Sequence, residues 1–135
     1  MLRRRHLPAL VLACALAAHF PAWAADIDWS KAKVIEISMG DDYKFTPDNL
    51  RLKRGQPYRL HFVNRGKDLH EFDAGQFLAT ATLGNPEVVE KDSTEVDINP
   101  AGEKDLLLVP NQAGKFDFQC DDHEVFGMRG TVTVE

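Results

Sequence analysis

The chain has 135 residues, a length suited to one domain, and 44% hydrophobic with 27% charged residues is an ordinary globular composition. Nine Gly and seven Pro are too few for a low-complexity or collagen-like chain. Sixteen Lys and Arg stand against 21 Asp and Glu, and the resulting net charge of −5 excludes a strongly basic, nucleic-acid-binding domain. Two cysteines exclude a multi-bridge disulfide scaffold.

The first segment is read as an address rather than as fold. Arg3, Arg4 and Arg5 precede an almost wholly apolar run from Leu7 to Ala18, and Ala22-Trp23-Ala24 supplies a small-x-small cleavage site. This is the pattern of a secretory signal peptide. The run is shorter than the ~20 residues of a spanning helix and Pro21 interrupts its end. A lipoprotein reading at Cys14 would leave an unusually short apolar segment before the cysteine. The sequence therefore predicts a signal peptide over 1–24, a single exported domain over 25–135, a periplasmic location and no membrane span in the mature form. Cleavage leaves 13 basic against 21 acidic residues and one cysteine, Cys120. A lone cysteine in an oxidising compartment needs an explanation.

Short strand signals follow, separated by turns. Lys33 to Ser38 reads as a first strand, ended by Gly40-Asp41-Asp42. Phe45 to Leu52 reads as extended and is closed by Arg54-Gly55-Gln56-Pro57. In Tyr58 to Val63, alternation sets Tyr58, Leu60 and Phe62 on one face and Arg59 and His61 on the other. Leu69 to Phe72 follows the Asn64-Arg65-Gly66-Lys67 turn. Gly75 to Glu87 reads poorly as a strand, and Ala79 to Thr82 fits a short helix or an irregular loop equally well. Strand signals resume at Glu95 to Ile98, Lys104 to Val109, Lys115 to Cys120 and Gly130 to Val134. Seven or eight short strands without a strong amphipathic helix predict an all-β sandwich or barrel. Asp26 to Lys31 reads as a loose arm, and Met39 as a surface residue or part of a rim.

One segment carries chemistry. Cys120-Asp121-Asp122-His123-Glu124-Val125-Phe126-Gly127-Met128 puts a thiolate, an imidazole and a thioether on one short loop. With a second imidazole from elsewhere, that set makes a trigonal site with a weak axial thioether, suited to copper electron transfer. His70 begins a turn-to-strand junction and His61 points away from the core face.

Phe45-Thr46-Pro47, Val63-Asn64-Arg65-Gly66, Leu69-His70-Glu71-Phe72, Gly114 to Cys120 and the Cys-x2-His-x4-Met loop together resemble the cupredoxins. The likeness is to small blue-copper proteins such as plastocyanin, amicyanin and pseudoazurin, and to cupredoxins of bacterial copper tolerance. It covers residues 33–135. The resemblance implies a Greek-key sandwich and one type 1 copper ion, held by His70, Cys120 and His123 with Met128 as the axial ligand. It also implies an exchange surface at the edge of His123, near Val125 and Phe126. Glu71 departs from the pattern, because many members carry Asn or Ser there to brace the cysteine loop. A carboxylate beside copper and thiolate favours the more positive, oxidised metal.

Other readings of the same residues are weaker. Cys120 alone would be a buried structural thiol. Structural zinc wants four strong ligands, and the mature chain has one cysteine. A Cys/His hydrolase needs an exposed thiolate with a base and an orienting group. No His-Cys-His run of the multicopper enzymes is present, and a binuclear centre would need two cysteines. The expected protein is a monomeric copper binder and not an enzyme, serving copper tolerance or one-electron transfer to a transient redox partner.

Overall fold

The computed structural model describes residues 26–90 and 94–135, and the expected signal peptide lies outside them. Among the described residues nine strands form two sheets. The first sheet runs β1 (Lys33–Met39), β3 (Tyr58–Asn64), β7 (Glu103–Pro110) and β5 (Ala81–Leu83). The second runs β2 (Asn49–Leu52), β9 (Arg129–Val134), β8 (Gly114–Gln119), β4 (His70–Asp73) and β6 (Glu95–Ile98). The fold is the expected all-β sandwich, and among the described residues neither sheet closes into a barrel.

Alternation builds both sheets. Tyr58, Leu60 and Phe62 of β3 are buried while Arg59 is exposed and His61 half-buried, so a single period-2 run fixes which face meets the core. Phe116 and Phe118 of β8 are buried likewise, and Cys120 continues their face. The sheets meet where Phe62 of β3 lies 4.9 Å from Phe72 of β4, and within the second sheet Phe72 lies 4.9 Å from Phe118. Each such side chain contributes about 1.5–3 kcal/mol on leaving water. The pairs β1–β3 and β2–β9 are parallel and the other strand pairs antiparallel.

The structure departs from expectation, or resolves it, in four places. The ambiguous region contains a short helix α1 (Gly75–Ala79), the three-residue strand β5 and a 3-10 turn over Pro86–Val88. The strand count is therefore nine, not seven or eight. Ala74 gives α1 no side-chain cap, and its anchors are the buried Phe77 and Leu78. Within Phe45 to Leu52 only Asn49–Leu52 is a strand, and Thr46 instead bridges Ser38. The N-terminal arm is not loose. Asp28 caps a 3-10 turn over Trp29–Lys31, and Trp29 packs so tightly on Gly84 that a Cβ there would sit 2.6 Å from the indole. Met39 is 3% exposed and belongs to the core, not to the surface. Among the described residues no helix is long and apolar enough to cross a membrane.

Candidate metal centre

The ends of β4 and β8 build the site. Asp73 of β4 pairs with Gln119 of β8, which sets the two strands side by side; His70 opens the first and Cys120 follows the second. From Cys120 the chain makes a 3-10 turn over Asp121–Phe126. Gly127 ends that turn at φ 82°, a left-handed conformation that glycine adopts without a Cβ clash. The loop then closes on itself. The Cys120 N–H donates to the Met128 carbonyl at 3.0 Å, and the His123 N–H donates to the Cys120 carbonyl at 3.1 Å.

Side chains converge inside this frame. The ligating atoms of His70, Cys120 and His123 all lie within 4.8 Å of one another. Cys120 Sγ is 3.3 Å from His123 Nδ1, and the imidazoles of His70 and His123 meet edge-on with centroids 4.9 Å apart. His70, Cys120 and Met128 are each 0% exposed, while His123 is half-buried. Thus three of the four expected ligands come together as one cluster. The fourth, Met128, is buried and bound through its backbone to Cys120. His61 is elsewhere: its Nδ1 lies 2.7 Å from Asp105 on the outer face of the first sheet.

The electrostatics test whether a soft metal suits these donors. Both ring nitrogens of His70 are buried and lack a hydrogen-bond partner. Leaving a buried polar group unpaired costs about 1–3 kcal/mol, so a native fold holds such a ring for a ligand. Burial, reinforced by His123, pushes the His70 imidazole below its usual range and towards the neutral form that binds metals; the Gly40 backbone opposes this without completing a hydrogen bond. Burial also pushes the Cys120 thiol up, against a weak contact from the Glu71 N–H at 3.4 Å. A buried thiol with a raised pKa is the opposite of a nucleophilic cysteine, but a metal cation would reverse that balance and take the thiolate. The donor set fits copper.

Two neighbours shape the surroundings. A Glu71 carboxylate oxygen accepts from the N–H groups of Asp121 (3.1 Å) and Asp122 (3.3 Å), which ties the ligand loop to β4. Burial raises its pKa, against the Asp122 N–H, which favours the charge. Glu71 also gathers with Glu95 and Asp97 on the outer side of the sheet, a set of hard oxygen donors distinct from the soft cluster. The second neighbour, Tyr43, is one that sequence reasoning missed. Its ring stacks 4.6 Å from His123 at 26° and 4.9 Å from Phe126 at 20°, and it meets His70 edge-on at 6.1 Å. Its hydroxyl donates to Asp68 at 3.0 Å, which raises its pKa. Its backbone has φ 54°, a conformation costing a bulky residue about 1–3 kcal/mol and found where a site demands it. The only signal in sequence was the Gly40-Asp41-Asp42 turn before it.

A soft Cys/His/His cluster at one end of a two-sheet sandwich defines a class of small metal-binding β-proteins. Residues 8–134 match the model of the cupredoxin-like domain, and the chain belongs to that family. A relative at 28% identity is the copper-resistant cuproprotein CopI of Rubrivivax gelatinosus, with 79% of this chain and 70% of that protein covered. Among solved structures, auracyanin from Roseiflexus castenholzii superposes with a TM-score of 0.58 at 18% identity, over 77% of this chain and 98% of that one. The metal-binding domain of the Streptococcus pneumoniae Cu(I)-exporting ATPase CopA gives 0.51 at 16% identity, over 78% and 88%. At these identities the likeness is one of fold.

Proposed function

We propose that the protein is a periplasmic copper-binding cupredoxin that takes one type 1 copper ion on His70, Cys120 and His123, with Met128 as a weak axial donor, and serves copper tolerance. The observation that carries this reading is the convergence of three soft donor atoms within 4.8 Å, one of them on a buried imidazole with no other partner. Copper bound there supplies one-electron exchange between its two oxidation states. The chain's own contribution is to hold the donors. Cys120 and His70 are anchored at the ends of paired strands, and the loop bonds of Cys120, His123 and Met128 limit rearrangement. The relative named for copper resistance supports tolerance over dedicated electron transfer.

A second reading, a dedicated electron carrier, is favoured by a separate observation. Val125 is 82% exposed and Phe126 64%, an apolar patch beside His123 on which a redox partner could settle transiently. Neither reading makes the protein an enzyme.

Adding copper(II) to the mature protein should give one bound ion per chain and an intense visible thiolate-to-copper band, absent in Cys120→Ser. A colourless complex, or a spectrum that survives the substitution, would remove the assignment. A deletion strain separates the two roles: copper sensitivity with normal respiration supports tolerance, and the reverse supports electron transfer.

A further inference from the structure

Resting on the copper reading above, we infer that Tyr43 is a positioning residue that clamps His123 and, with Phe126, controls how fast the metal leaves. Three of the four donors are fully buried, so His123 is the ligand nearest solvent and the natural point of metal loss. Tyr43 covers it. Phe126 and His123 are 6.3 Å apart, too close for a three-layer stack, so the Tyr43 ring lies across the pair and bears on both. Its edge reaches His70, giving it contact with both imidazoles.

The clamp is fixed at both ends. The Tyr43 N–H donates to the Gly40 carbonyl at 3.0 Å and its hydroxyl to Asp68 at 3.0 Å, on the loop that leads into β4. Asn or Gly would occupy the left-handed position freely, whereas an aromatic residue is strained there. The ring contacts are what that strain supports. While Tyr43 stays in place, His123 cannot rotate away from Cys120 without breaking the stack, and loss of the metal has to wait for that event.

Tyr43→Asn tests this without a backbone penalty, since Asn tolerates left-handed φ. The Cu(I)-loaded protein should pass copper to bathocuproine disulfonate about tenfold faster, the factor expected from losing one to two aromatic contacts. Its Cu(II) form should keep the charge-transfer band. Tyr43→Phe, which keeps the stack and loses only the Asp68 bond, should release copper within about threefold of wild type. In the metal-free protein, amide exchange at His123, Gly127 and Met128 should quicken in Tyr43→Asn and not in Tyr43→Phe. Unchanged release and exchange in Tyr43→Asn would overturn the inference, as would loss of the band, which would make the ring a prop of the donor set itself. Quickened exchange in a chain whose wild type shows no copper band would uphold the clamp and sink the copper reading alone.

Discussion

At Glu71 a single side chain does two jobs that Asn or Ser would split. Its carboxylate accepts two loop N–H groups, as a neutral amide oxygen could, and it also adds a negative charge next to the cysteine. Glu71→Gln separates them. The amide oxygen can still brace the loop, so the copper band should persist in Glu71→Gln, while the reduction potential rises by tens of millivolts, a tenfold one-electron change being about 59 mV. Voltammetry on the two proteins checks it; an unchanged potential would mean that solvent screens the charge. Glu71 was legible in the sequence as an oddity because it adjoins His70. The resemblance marked its position as one that braces the cysteine loop. That a carboxylate does so through Asp121 and Asp122 was not legible, because those residues are brought to it only by the pairing of β4 with β8. Tyr43 was illegible for the same reason, since its partners Asp68, His70, His123 and Phe126 lie on other loops and strands.

Strand register decides which histidine can reach the site. Alternation along β3 turns His61 outwards to Asp105, while His70 opens β4 facing the core. His70→Ala should abolish the blue or green colour, and His61→Ala should leave it nearly unchanged, by absorption on copper titration. Equal loss in both would mean that His61 supports the site through the first sheet. Elements with a long alternating run, β3 and β8 above all, were readable because their period is imposed by a core on one side. β5 was not, because three residues at a sheet edge show no period, and α1 was not, because Ala74 provides no cap and tertiary burial alone holds Phe77 and Leu78. Trp29 read as part of a loose arm because its partner, Gly84, is a small residue with no signal of its own.

For the molecule as a whole, donors drawn from β4 and from the β8–β9 connection mean that a bound metal links separate parts of the second sheet. Binding to the folded state alone should raise stability by about 4 kcal/mol when free copper is a thousandfold above its dissociation constant. Thermal unfolding with and without copper should show a rise on the order of 10–20 °C, much reduced in Cys120→Ser. An equal rise in that variant would trace the stabilisation to some other site.

Sheet order also imposes a schedule on folding. β9, the last of the described strands, is paired on both sides, with β2 in parallel and with β8 antiparallel, so Asn49 has to find Thr131 before the second sheet is complete. Contacts so distant in sequence are slow to form, on the order of milliseconds to seconds in all-β domains. Cys120, His123 and Met128 lie on the short connection between β8 and β9, whereas His70 reaches them only through the pairing of β4 with β8, far apart in sequence. A chain in which β4 has not docked on β8 therefore lacks His70 beside the Cys120 loop, and the full donor set is assembled only with that long-range pairing.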